Sequence, residues 1–173
     1  MDKIIDKSPQ PDDLDDDLYD DEDTQKDKYL TFHLADEVFG IEICFVTEIV
    51  GIQTITPIPA MPDFIKGVIN LRGKVIPVMD VRTRFRLPTR EYDERTCIIV
   101  VEIDKTIVGL VVDRVSEVMD IPESQMEPPP KTTGKKGRRF LQGLGKVESD
   151  VKIILNVSQL LYEEELEQLV EAA

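Results

Sequence analysis

The chain contains no Trp, a single His (His33) and only two Cys (Cys44 and Cys97). Each scarcity removes a class of chemistry. One His and two Cys do not build a Cys/His zinc site without carboxylate help. A Ser-His-Asp or Cys-His arrangement would have to run through His33. The run Thr31, Phe32, His33, Leu34 alternates as a strand does, which makes His33 a surface or edge residue. Cys44 and Cys97 lie in strand-like segments, away from any helix N-terminus that would lower a thiol pKa. With no CxxC and no secretory start, the thiols are expected reduced and the protein cytoplasmic. No apolar run nears the ~18 residues of a membrane span, so direct membrane insertion is not expected. No cofactor, metal or catalytic residue is expected.

Basic side chains are also in short supply: 21 against 35 acidic, a net charge of −14. Phosphates would be repelled, which makes nucleic acid and anionic membrane poor partners. The imbalance is concentrated in residues 1–27, with twelve Asp/Glu and three Lys. That stretch is too polar and self-repelling to bury a core, and a disordered acidic tail is expected. A solubilising role is the plain reading. Leu14, Leu18 and Tyr19 sit at helical spacing, which leaves folding on a partner open.

From residue 28 onward the signal is short strands. Residues 28–34, 38–43, 74–82, 96–103 and 106–121 are rich in β-branched residues, with Gly or polar turns between them. Pro57, Pro59 and Pro62 exclude a central strand, and Pro77 belongs at an edge or bulge. Helical pattern is confined to the end, SQLLYEEELEQLVEAA, with Ser158 as the expected N-cap. The fold class is mostly β.

The chain also repeats itself. Shifted by 69 residues, VFGIEICFVTEIV (38–50) lies on IVGLVVDRVSEVM (107–119). Gly40 meets Gly109, Val46 meets Val115, and Glu48 meets Glu117. At a shift of 76, Gly67 meets Gly143 and VIPVMDV (75–81) lies on VKIILNV (151–157). The extra residues fall in PPPKTTGKKGRRF (128–140), which reads as an exposed loop. Two copies of one β unit follow, about 28–90 and 96–160. Each is near the lower size limit for its own core and is expected to curl into a small barrel. Strands are free to exchange between the barrels, and a groove is expected where they meet.

Within this frame FIKGVINLRGKVIPVMDVR (64–82) stands out. Gly73 permits a tight turn that would hold Arg72 in place, and Asn70 can bond the backbone of that turn. An Arg so fixed is a bidentate donor. It serves either a binding site or an internal pair with Glu48, and the two roles are compatible. GLGK at 143–146 lacks the GxxxxGK[ST] phosphate-loop pattern and reads as a turn before a strand. The basic loop 131–139 is a solvated loop, or a dock for an acidic partner or for the tail.

GVINLRGKVIPVMDVR (67–82) resembles the CheW family, the coupling proteins of bacterial chemotaxis. FGIEICFVTEIV (39–50), VGLVVDRVSEVM (108–119), FLQGLGKV (140–147) and ILNVSQLL (154–161) support the likeness. It covers residues 28–165 and leaves 1–27 and 166–173 outside as tails. The resemblance implies two intertwined five-stranded SH3-like barrels, a short C-terminal helix and no enzyme activity. It implies two partners, the cytoplasmic tip of a chemoreceptor (a methyl-accepting chemotaxis protein) and the regulatory domain of the CheA histidine kinase. The implied setting is the cytoplasmic face of membrane-associated receptor arrays. Val46, Glu48, Gly67, Arg72 and Gly73 match positions the family uses at or near the receptor groove, and Val115 and Val118 match second-barrel positions. A scaffold for a non-chemotactic receptor–kinase pathway would read the same way. A small-molecule binder or enzyme using the groove is the remaining alternative. The acidic tail, the strongly basic loop and Cys97 depart from the family pattern.

Overall fold

A computed structural model describes residues 25–131 and 139–160. The expected disordered tail before residue 25, the centre of the basic loop and the helix beyond Leu160 lie outside the described residues.

Eleven strands are described, and the repeat organises them. The first copy supplies β1 (Lys28–Leu34), β2 (Glu37–Glu42), β3 (Val46–Gly51), β4 (Ile65–Leu71) and β5 (Lys74–Asp80), then the one-turn helix α1 (Val81–Arg84). The second supplies β6 (Cys97–Ile103), β7 (Thr106–Val112), β8 (Arg114–Asp120), the two-residue β9 (Met126–Glu127), β10 (Leu141–Val147), β11 (Asp150–Leu155) and α2 (Val157–Leu160). Adding 69 carries β1–β3 onto β6–β8, and adding 76 carries β4, β5 and α1 onto β10, β11 and α2.

The sheets do not respect the two copies. One runs β8-β1-β2-β11-β10-β9 and the other β3-β6-β7-β5-β4. Replacing each strand of the second sheet by its repeat mate gives β8-β1-β2-β11-β10, which is the first sheet without β9. The barrels are therefore intertwined. The extra strand has a mate too: where β9 pairs with β10 through Glu127 and Leu144, Thr56 makes an isolated bridge to Val68 of β4. The β4–β5 bulge between Ile65 and Gly67 recurs at Leu141 and Gly143.

Exchange explains the unbroken apolar runs in β6 and β7. On β6, Ile98 and Val100 fill the interior of the second sheet, with Ile69, Ile76, Val78 and Val111. Ile99 and Val101 face the other way, into a larger core shared with Leu30, Phe32, Leu34 and Ile41 of the first sheet. A strand buried on both faces reads as continuous rather than alternating hydrophobicity. Each such side chain contributes about 1.5–3 kcal/mol when fully buried, so the shared core locks the barrels together.

Three local expectations are corrected. His33 lies on β1, which pairs with β2 and β8 on its two sides, so it is a half-buried interior residue and not an edge one. Burial, then Arg114 and Lys152, lower its pKa. The cap of α2 is Asn156 rather than Ser158: its Oδ1 accepts the Gln159 N–H at 3.2 Å, while Ser158 falls inside the turn. Asp80 does the same for Thr83 at α1. Asp80 and Asn156 are repeat mates, so one short polar acceptor starts each helix. Pro77 sits in β5 opposite Val68, close to the β4 bulge, one residue before β5 begins to pair with β7. β5 is thus an interior strand, not an edge.

Candidate functional site

The β4–β5 hairpin closes in two residues, Arg72 and Gly73, with Leu71 opposite Lys74. Both take positive φ, 53° and 86°. That is the primed turn whose twist matches the flanking strands. Asn70 holds it, its Oδ1 accepting the Gly73 N–H at 2.9 Å. Arg72 is thereby presented from a rigid turn rather than a loose loop. Its guanidinium pairs with the Glu48 carboxylate on β3. The bond from Arg72 holds the Glu48 carboxyl below its ordinary range, and Glu48 raises the Arg72 pKa. Arg72 remains 71% exposed, so the pair lies open to a partner.

Together they rim a cleft of about 460 Å³. Its floor is apolar, from Ile76, Val100 and Ile107, and its rim carries Lys74 and Glu102 besides the pair. Chemically this is an apolar seat with alternating charges at its lip, suited to a protein side chain.

The other four expected residues do not line this cleft. Gly67 packs behind it. A Cβ there would lie 2.1 Å from the Thr56 carbonyl oxygen, and φ is 146°. Gly67 lets the chain from Thr56 bridge to Val68 by bonds of 2.8 and 2.9 Å. Its contribution to the cleft is therefore indirect. Val46 and Val115 both pack against the core shared by the two sheets, one from each edge strand, β3 and β8. Val118 lies further along β8, 49% exposed. Its repeat mate Ile49 is exposed as well, and so are the mates Val75 and Val151. The duplication has placed apolar surface at equivalent points on both barrels.

The sequence reading missed one ionic hub. Asp113 is the single residue between β7 and β8, where the chain crosses from one sheet to the other. Arg82 grips it twice, Nε to Oδ1 and Nη2 to Oδ2, both at 2.7 Å. The Ala35 N–H also donates to Oδ2, at 2.8 Å, and Arg90 approaches at 3.5 Å. Burial pushes the Asp113 carboxyl up, but the bonds from Arg82 and the Ala35 amide outweigh it and hold the pKa low. Its repeat mate is Cys44, and that break in the repeat was the available signal.

Among the described residues, no cluster of His, Cys, Asp and Glu has metal-binding geometry and no helix is long and apolar enough to cross a membrane.

A family model described as CheW-like domain matches residues 28–165. "Chemotaxis protein CheW" of Klebsiella aerogenes is 39% identical over 139 residues, 80% of this chain and 84% of that protein. The Bacillus subtilis protein of the same name is 31% identical over 144 residues, 83% of this chain and 92% of the relative. Among solved structures, the scaffolding protein TtCheW from Thermoanaerobacter tengcongensis superposes with a TM-score of 0.73. It is 40% identical, with 80% of this chain and 94% of that one covered.

Proposed function

The chain belongs to the CheW-like family, and on that footing we propose that it is a non-enzymatic chemotaxis adaptor that joins the cytoplasmic tip of a transmembrane chemoreceptor to the CheA histidine kinase. It acts by holding both partners at once. Signal passes as a change in how they sit against each other. Moderate affinity at each surface is enough, because an array multiplies it.

Val46, Glu48, Gly67, Arg72, Gly73, Val115 and Val118 are assigned to the receptor side. The observation that carries this is the Glu48–Arg72 pair on its rigid turn, open to solvent above an apolar floor. A pre-positioned Arg loses little freedom when a partner carboxylate replaces or joins Glu48. Val46 and Val115 pack on the shared core from the edge strands β3 and β8, and Val118 is exposed further along β8. Gly67 serves by keeping β4 and its turn in place. The CheA regulatory domain is expected to pack barrel to barrel against this chain.

The test is a reconstituted kinase assay. Receptor-containing membranes and CheA are combined with and without the protein, and CheA autophosphorylation is followed. A large rise that needs the protein is expected, and Arg72→Ala should abolish it. With folded protein and active partners, the absence of any rise overturns the coupling assignment.

A further inference from the structure

One row of the first sheet carries basic side chains that the adaptor reading does not use. His33 of β1 stands opposite Arg114 of β8 on one side and Val38 of β2 on the other. β11 runs parallel to β2 with Ile153 opposite Phe39 and Ile154 opposite Gly40, so one step back Lys152 stands beside Val38. Register partners project from the same face of a sheet. Arg114, His33 and Lys152 therefore lie in line across β8, β1, β2 and β11. Along the strands, Tyr29 and Ile154 on this face pack together in the interior. The row lies beyond them, where Arg114 is exposed and His33 and Lys152 are partly buried.

The cations of this row have no bonded carboxylate, although acidic side chains outnumber basic ones 35 to 21 in the chain. Among the described residues, neither the Arg114 guanidinium nor the His33 ring has a hydrogen-bonded or ion-paired partner. Lys152 has only Asp150, at 4.0 Å, and that carboxylate is 72% exposed. Asp113, beside Arg114 in the chain, is already held by Arg82 and the Ala35 amide. Burial, then the fields of Arg114 and Lys152, keep the His33 ring neutral at neutral pH, with an N–H to donate. The duplication does not account for the row. The repeat mates of Arg114, His33 and Lys152 are Phe45, Glu102 and Ile76. Glu102 and Ile76 belong to the Glu48–Arg72 cleft. The same architectural position is basic in one barrel and apolar and acidic in the other.

We propose that this row is a docking surface for an acidic segment of a partner protein, with carboxylates held by Arg114 and Lys152 at its two ends and by the His33 N–H between them. Neighbouring strands are about 4.8 Å apart, so the two ends of the row are about 14 Å apart at the backbone. Carboxylates four residues apart on an extended chain are separated by about 13 Å, a match that a single small oxyanion does not offer. Arg114 presents a planar fork, and Lys152, largely withdrawn from water, a point charge that salt screens less than an exposed one. The row lies in the β8-β1-β2-β11-β10-β9 sheet and Glu48 and Arg72 on the other, so the two surfaces are separate. The inference rests on the fold alone and stands apart from the receptor and kinase assignments.

The test uses the full chain and a synthetic Glu-Ser repeat peptide as the probe, with backbone amide NMR shifts followed at low and high salt. Saturable shifts centred on His33, Arg114 and Lys152 are expected, and high salt should weaken them. Arg114→Gln with Lys152→Gln should weaken the peptide about tenfold or more, the loss of at least one charge-assisted bond. Arg86→Gln with Lys105→Gln removes the same charge from exposed positions elsewhere and should leave the affinity unchanged. Absence of binding, or shifts that miss the row, overturns the proposal. Equal weakening in the two double variants does so as well, since it would show an unspecific response to charge. Inorganic phosphate reproducing the shifts at the same concentration would replace the acidic segment by a small anion. The shift map is read on the unaltered chain, so it decides the question even if the row variant fails to fold.

Discussion

Replacing Asp113 by Asn tests whether the crossover hub holds the intertwined barrels together. The carboxylate is 10% exposed and its Arg82 partner 12%. Asn keeps one oxygen for the Ala35 amide but cannot match both nitrogens of the Arg82 fork, and it leaves a largely buried guanidinium without its counter-charge. Removing one partner of a buried pair costs about 3–5 kcal/mol. The pair here keeps some solvent contact, so the lower end applies, about 3 kcal/mol. For a chain of this size each kcal/mol moves Tm by roughly 2–4 °C, so a fall of about 10 °C is expected by calorimetry. The double change Arg82→Met with Asp113→Leu should recover much of that loss, because it leaves no orphaned charge. The pH dependence has a fixed sign. Asp113 titrates lower in the folded state than the ~3.9 of an unfolded Asp, so its contribution is complete above that value. It is lost as pH falls through the lower folded-state pKa. The parent should lose stability relative to Asp113→Asn as the medium is acidified below about pH 4. A Tm shift under about 2 °C for Asp113→Asn would refute the reasoning, since the cost per kcal/mol is anchored by chain size.

Three further outcomes are expected. Arg72→Ala should abolish receptor-dependent kinase activation while barely moving Tm, because the Glu48–Arg72 pair is solvent-exposed; a large drop in Tm would make the pair structural instead. Gly67→Ala should destabilise far more than Gly73→Ala, since the first Cβ collides with the Thr56 carbonyl while the second meets open space and bears only the left-handed penalty of ~1 kcal/mol; comparable denaturant midpoints would contradict this. The Tyr92 phenol should be among the last to ionise in an alkaline ultraviolet titration, because burial and its bond to Asp80 raise its pKa, and Tyr92→Phe should remove that late step at a cost of about 1.5–3 kcal/mol, since the acceptor is a carboxylate.

Much of the fold was legible because duplication writes itself twice. Gly40 and Gly109, or Gly67 and Gly143, sit at fixed offsets, and strand composition between them does the rest. The Arg72–Gly73 turn and its Asn70 support were legible for a local reason: a two-residue hairpin needs positive φ, and few residue types accept it. Local rules reached less far at the edges of elements. Ser158 looked like a cap, but β11 ends at Leu155 and puts Asn156 at the helix start, two residues earlier. His33 looked like an edge residue because, while β2 follows it in a hairpin, the strand on its other side, β8, comes from a distant part of the chain.

The amino-acid sequence by itself determined the mostly-β class, the repeat, the rigid turn that carries Arg72 and the family. Those depend on neighbours close along the chain or on offsets that a shift reveals. GLGK (143–146), which reads as a turn, lies inside β10. Only the tertiary structure decided which copy each strand serves. It separated Val115 and Val118 from the Glu48–Arg72 cleft and set Val46 against the shared core. It made Asp113 a hub where its mate Cys44 faces an open cleft. The physical reason is strand exchange: each sheet is completed by the other copy, so which side chains meet is set by pairings between segments far apart in the chain, and no local pattern encodes them.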